Sequence, residues 1–263
     1  MRAEVAAGAG VSGGSVGFPV GVAPVAPALP PLHHSPRLSQ RAADLRSQPQ
    51  PLLVVVHGRS GGLIPPELEA LAAELAGRRG APVQLVALSG GHHEATPALR
   101  ASVLERGGLG LVPLLLLPGG HVRHDLPLIA ARWRQLGPLH RYPFLGAWSR
   151  WQQQLAGLVD DERRQGRSLL WLHHPLEGAL PQRYLAHLAR HSGAALVATP
   201  YTSEQGWSAL PVGPGVVWQP LVLAANRLTE GLQHLPTRPP LRPPLLHQAP
   251  VRQFLLQLLE ALP

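Results

Sequence analysis

The sequence predicts an α/β protein in which small parallel sheets lie buried between helices on both faces. Three observations predict it. Short valine- and leucine-rich runs alternate with helix-spaced patterns through residues 51–235. The runs lack the polar alternation of a half-exposed strand, as expected where helices cover both sides of a sheet. The order of elements then repeats. Leu53-Val-Val-Val-His57 has a counterpart in Leu169-Leu-Trp-Leu-His173, and Val112-Pro-Leu-Leu-Leu-Leu117 has one in Gln219-Pro-Leu-Val-Leu223. An internal duplication accounts for both matches.

Residues 1–50 read as a poorly ordered extension, because Gly8-Ala-Gly10, Gly13-Gly14 and the prolines from Pro19 to Pro36 suit neither helix nor central strand. Arg2 precedes small residues, but the apolar stretch is broken and no cleavage site leads into a mature domain. The first α/β domain is expected over 51–145. Leu52–His57 reads as a buried strand, and Pro65–Arg79 as a helix with proline in its first turn and Gly80 as its stop. Strand Val83–Leu88 and helix Thr96–Arg106 follow. The third strand is expected from Leu109 to about Leu117, with helix resuming after Gly120. Pro138 and Pro143 limit 136–145 to a short edge element.

A second domain is expected over 146–236. It opens with an amphipathic helix, Gly146–Arg164, whose inward stripe is Trp148, Trp151, Leu155 and Leu158. Strand Ser168–His173, helix Pro181–His191, strand Ala194–Thr199 and strand Val216–Leu223 complete the cycle. Residues 237–263 read as a proline-rich linker and a short apolar helix, Val251–Leu262, packed on the body.

Composition excludes several classes. With no cysteine, disulfides, iron–sulfur clusters and thiolate metal sites are ruled out. Proline and glycine interrupt every apolar run before the roughly 18 residues of a spanning helix, so no membrane role and a cytoplasmic location are expected. All 23 basic residues are arginine, giving a formal charge of +8. That field favours polyanions. The arginines are nevertheless scattered, and three Phe and three Tyr offer little stacking surface, so nucleic acid is not the expected partner. Gly58-Arg-Ser-Gly-Gly62 and Leu117-Pro-Gly-Gly120 lack the spacing of phosphate loops.

Two strand ends carry the chemistry. His57 closes the first strand ahead of Gly58, and His121 follows the third after Gly119-Gly120. In an open parallel sheet the carboxyl ends of neighbouring strands share one rim, where ligands bind. Imidazole holds divalent metals with moderate strength and accepts protons near neutral pH. The glycines Gly58, Gly119 and Gly120 let a ligand approach the backbone. Asp125 has two readings, as a cap for the following helix or as an acceptor that orients an imidazole. His124 reads as solvated, and His173 and His174 have two readings, as structural remnants of the second cycle, which is favoured, or as residues facing the cleft from the other domain.

These residues resemble the sirohydrochlorin chelatases, class II chelatases, in their longer two-domain form. The resemblance covers most of 51–235 and rests on two stretches, Val54-Val-Val-His-Gly-Arg-Ser60 and the sixteen residues Val112–Pro127. It implies two chelatase-type three-layer α/β/α domains, each with a parallel four-stranded sheet, facing each other over a cleft. It further implies that Fe²⁺ or Co²⁺ is inserted into sirohydrochlorin, on the route to sirohaem or cobalamin, with no permanent cofactor. His57 and His121 would bind the metal and help remove the pyrrole protons. The eight carboxylates of such a substrate give Arg59 and Arg123, beside the two histidines, a role as anchors.

The chain departs from the family in two places, the first being the exchanged order of Arg59-Ser60 in the opening loop. Leu85-Val-Ala-Leu88 places Ala87 where the family carries an acid, and Gly91-His-His-Glu94 supplies His92, His93 and Glu94 a few residues later. Those three either join the cleft or sit on the surface. A non-catalytic metal or tetrapyrrole carrier descended from a chelatase is the alternative function. Either a monomer or a homodimer is compatible with the sequence.

Overall fold

The computed structural model describes residues 48–90, 94–200 and 204–263. The expectations for 1–47, and for His92 and His93, therefore lie outside the described residues. Strands β1 (Leu52–Val56), β2 (Val83–Ala87), β3 (Leu109–Pro113) and β4 (Leu139–Arg141) form one sheet in the order β2-β1-β3-β4, every pair parallel. Strands β5 (Ser168–His173), β6 (Ala195–Ala198) and β7 (Val216–Pro220) form a second parallel sheet in the order β6-β5-β7. The connecting helices are α1 (Pro66–Arg79), α2 (Pro97–Arg106), α3 (Gly120–Arg123), α4 (Asp125–Trp133), α5 (Ser149–Arg164), α6 (Ala179–Ser192), α7 (Glu204–Ser208), α8 (Arg227–Gln233) and α9 (Ala249–Glu260).

The second sheet has three strands, which corrects the expectation of four. Its fourth place is held by one parallel bridge, Trp218 to Leu241, within the segment expected to be a linker. Prolines 239, 240, 243 and 244 flank Leu241 and cannot donate to a ladder, so the pairing stops there. The bridge itself is well made: Trp218 N–H donates to Pro240 and Arg242 N–H to Trp218. Beyond the bridge, the chain repeats the pattern of the first half. A 3₁₀ turn at Leu245–His247 leads into α9, as the turn at Leu145–Ala147 leads into α5. The earlier of these turns also moves the start of α5 to Ser149 rather than Gly146.

Residues of β1 alternate between two cores, as the pleat requires. Leu53 and Val55 meet α2 and α4 through Leu99, Val103, Leu126 and Trp133. Leu52, Val54 and Val56 enter the largest core, which also takes Leu169 and Trp171 of β5, Trp151 of α5 and Leu255 of α9. That core joins the two halves. The helices cross between them: α5, which follows the first sheet, packs on α6, while α9, at the end of the second, packs on α1. Buried Arg79 of α1 donates to the Leu259, Glu260 and Leu262 carbonyls at 3.1, 3.1 and 2.6 Å. It thereby satisfies acceptors that the end of a helix leaves open.

Two strands end earlier than their apolar patterns suggest. β3 stops at Pro113 and β7 at Pro220, so Leu114–Leu117 and Leu221–Leu223 leave the ladders. Gly146 N–H donates to Leu115 at 3.0 Å, and Tyr184 O–H reaches the Leu116 carbonyl at 3.1 Å. The apolar composition of these segments therefore serves the space between the halves rather than a longer strand.

Candidate functional site

β1 and β3 run side by side, with Val55 opposite Pro113, so the chain leaving each strand emerges on one rim. His57 follows β1 directly. The chain after β3 reaches Gly119-Gly120, which opens α3 with His121 as its second residue. The two imidazoles meet edge to face, with ring centroids 4.9 Å apart and planes at 86°. The sequence-predicted pair is thus assembled from separate strands.

Both rings are held through the same nitrogen. His57 Nδ1 lies 3.0 Å from the Gly58 carbonyl, and His121 Nδ1 lies 2.5 Å from Asp125 Oδ2. A carbonyl or carboxylate oxygen only accepts, so these bonds assign the hydrogen to Nδ1 in each ring. The Nε2 lone pairs are left for other partners. Of the two readings of Asp125, the bond to His121 is the one the structure displays. Gly58 turns with φ +72°, and a Cβ there would come within 2.7 Å of both Ala87 Cβ and Ser89 Oγ.

A cleft of about 1110 Å³ opens over the rim. It lies just above the range of roughly 300–1,000 Å³ usual for small-molecule sites. Leu114, Leu116, Leu117, Leu176, Leu221 and Leu223 supply much of its apolar wall, from both halves. Arg59, Arg123 and Arg227 line it, against Asp125, Glu177 and Glu230. The positive charge of the whole chain is therefore not concentrated here. Arg59 is ion-paired with Glu230 across the halves, and Arg227 donates to Ser60 Oγ at 3.1 Å. A third tie runs from Ala225 N–H to Glu67 Oε1 at 2.9 Å. Burial alone would raise the Glu67 carboxyl, but the hydrogen bonds from Ala225 and His247 hold it below its ordinary value.

Most expected site residues meet here: His57, His121, Arg59, Arg123, Asp125, Gly58, Gly119 and Gly120 all line the cleft, and exposed His124 does too. Glu94 does not. Its carbonyl accepts from Gln84 Nε2 at 2.7 Å, while Gln84 Oε1 accepts from Thr96 N–H at 2.9 Å. These bonds hold the backbone at 94–96 along the edge strand near its start, whereas the cleft rim is at the strand's far end. Glu94 is thus not among the residues lining the cleft, and Ala87 is buried. Among the described residues, no three metal-binding side chains are grouped to hold one ion.

Of the two readings of the second-half histidines, the cleft-facing one holds for His174 and not for His173. His173, the counterpart of His57, repeats its bond, with Nδ1 2.7 Å from the carbonyl of the next residue, but it is buried. His174, at the place of Gly58, is the one that lines the cleft. Burial pushes His174 down to about 4, and the positive potentials of His173, His57 and His121 act in the same direction. The doublet His173-His174 was the available signal. One ring mirrors His57, and the adjacent position falls on the cleft.

No protein-family model and no curated protein matches the sequence. The chain does have the fold of the sirohydrochlorin chelatases. It is similar to the sirohydrochlorin chelatase SirB from Bacillus subtilis subspecies spizizenii in complex with cobalt, at 17% identity and a TM-score of 0.51, covering 80% of this chain and 93% of that one. It is also similar to SirB from Bacillus subtilis with Fe³⁺, at 17% identity and a TM-score of 0.55, covering 80% of this chain and 94% of that one.

Proposed function

We propose that this protein inserts a divalent metal ion into sirohydrochlorin. The observation that carries the proposal is the His57–His121 pair, two rings 4.9 Å apart at the rim of a cleft large enough for a macrocycle. Insertion requires an ion delivered to the ring centre and two pyrrole protons removed. Two imidazole donors hold an ion while leaving positions open, whereas four protein ligands would retain it. His57 and His121 bind the ion through Nε2, and the bond donated by His121 Nδ1–H to Asp125 fixes the His121 ring for that task. Arg123 and Arg227 offer charged donors to the substrate carboxylates. Arg59 joins them only by exchanging Glu230 for a substrate group. Iron is the favoured ion, with cobalt close behind and nickel the third to be tried.

The absence of a cleft carboxylate at position 87 or 94 favours one second reading, a carrier that binds metal or macrocycle without turnover. One experiment separates the two. The full chain is incubated anaerobically with sirohydrochlorin and buffered Fe²⁺, Co²⁺ or Ni²⁺, and the absorption spectrum is followed. Saturable multiple turnover, nearly abolished by His121→Ala, is the expected result. Stoichiometric binding without turnover supports the carrier, and a rate no higher than uncatalysed insertion with all three ions overturns the chelatase reading.

A further inference from the structure

One cleft arginine is already engaged by the protein itself. Arg59 follows His57 by two residues and lines the cleft, where its guanidinium is ion-paired with Glu230 of α8. The neighbouring contact joins the same two elements, since Arg227, one helical turn before Glu230, donates to Ser60 Oγ at 3.1 Å. Two adjacent residues of the first half thus meet two residues on one face of α8. Glu177 lines the same cleft and has no ion pair among the described residues.

Resting on the chelatase reading above, we propose that Glu230 is an internal competitor of the substrate. Its carboxylate holds Arg59 in the resting protein in the place that a substrate carboxylate takes, and so sets how tightly the cleft binds a polycarboxylate macrocycle. Glu230 opposes binding in two ways. It occupies the guanidinium, and once displaced it is a like charge beside the incoming polyanion.

Three features suit the pair to exchange. The Arg59 and Glu230 side chains are 39% and 50% exposed, and an ion pair in contact with water is weak enough to break. The Arg59 backbone stays fixed meanwhile, so only the side chain has to turn. Its N–H donates to the Leu63 carbonyl at 2.7 Å, and its carbonyl accepts from Gly62 N–H at 3.0 Å and from Ser89 Oγ at 2.6 Å. Losing the pair does not part the halves either, because the Arg227–Ser60 and Ala225–Glu67 bonds remain. An incoming carboxylate offers the guanidinium the same charge-assisted bonds that Glu230 gives up.

The test is sirohydrochlorin binding without metal, read by fluorescence in the unaltered chain, Glu230→Gln, Arg59→Gln and the double variant, with circular dichroism melts as the folding control. Both single substitutions break the same tie between the halves, so a merely structural role gives shifts of the same sign. Exchange gives opposite signs. Glu230→Gln should bind roughly 5-fold tighter, the upper scale of an exposed ion pair, and Arg59→Gln should bind more weakly. In the Arg59→Gln background the gain from Glu230→Gln should shrink, because the two residues act through one contact. Glu177→Gln removes a cleft charge without freeing an arginine and should gain less than Glu230→Gln. Glu230→Ala repeats the measurement without an amide that could still hold Arg59. Binding by Glu230→Gln and Glu230→Ala no tighter than that of the unaltered protein overturns the proposal and leaves the chelatase reading standing. So does an undiminished gain in the Arg59→Gln background, or an equal gain from Glu177→Gln. Sirohydrochlorin that binds neither the unaltered protein nor Glu230→Gln sinks the chelatase reading itself, and this role with it.

Discussion

His121 and Asp125 sit one helical turn apart, and the Nδ1 to Oδ2 bond between them, at 2.5 Å, spans the junction of α3 and α4. A ring so held presents its other nitrogen in one orientation. His57 obtains the same result from a backbone carbonyl, so the pair is aligned by two independent means.

Replacing Asp125 with asparagine keeps the shape but removes the charge. It should weaken Co²⁺ binding roughly 10-fold, the lower end for lost partners of metal-ligating histidines. Both groups are partly exposed, which places the effect at that end. Anaerobic Co²⁺ titration checks it, and affinity equal to that of the unaltered protein would assign Asp125 to helix capping alone.

The sequence made the first half legible because its signals are local. A valine run ends at His57-Gly58, a leucine run reaches Gly119-Gly-His121, and parallel pairing puts both ends on one rim. The lengths of β3 and β7 were not legible. Leu114–Leu117 is apolar because it lines the cleft, and periodicity does not distinguish that from a longer strand. The fourth position of the second sheet was hidden among prolines, which read as linker until Trp218 supplies the bridge to Leu241. The doublet His173-His174 left open which ring meets the cleft, because that is set by how the two halves face each other.

Gly58 should tolerate no side chain. Its φ of +72° costs an L-residue about 1–3 kcal/mol. The added Cβ would also press on buried Ala87 and on Ser89, whose hydroxyl donates to the Arg59 carbonyl at 2.6 Å. Gly58→Ala should therefore lower Tm by roughly 5 °C, the shift expected from a loss of ~2 kcal/mol in a chain of this size. It should also disturb His57, whose Nδ1 bonds the Gly58 carbonyl. Thermal melting with Co²⁺ titration checks both effects, and an unchanged Tm would show that the turn relaxes freely.

Glu162 on α5 is fully buried and ion-paired with Arg167 and with Arg242, the residue after Leu241. Burial would raise its carboxyl, but the two guanidiniums hold it below its ordinary value. Glu162→Ala leaves two cations without their partner. Because both are partly exposed, the loss should be about 3 kcal/mol, the low end for a broken buried pair. Residues 237–247 should then loosen from β7, so limited thermolysin should cut faster at the Leu245–Leu246 bond. Denaturant melts and mass spectrometry of the fragments test this, and unchanged cleavage would mean that the Trp218–Leu241 bridge suffices alone.

The paired histidines at the end of β5 set how stability responds to mild acid. Burial lowers His173 despite its bond to the His174 carbonyl, and it lowers His174 to about 4 with help from neighbouring positive potential. Unfolded histidine titrates near 6.5. Between that value and the folded one, the unfolded chain binds more protons than the folded chain, so stability rises with pH. The contribution is therefore complete above about pH 6.5 and is lost progressively as pH falls toward 4. His174→Gln removes one titrating group from this balance. Denaturant melts at pH 7.5, 6.5 and 5.5 should show a shallower acid-side decline in the variant than in the unaltered protein. Parallel declines would place His174 in water in the folded state, contrary to its place in the cleft.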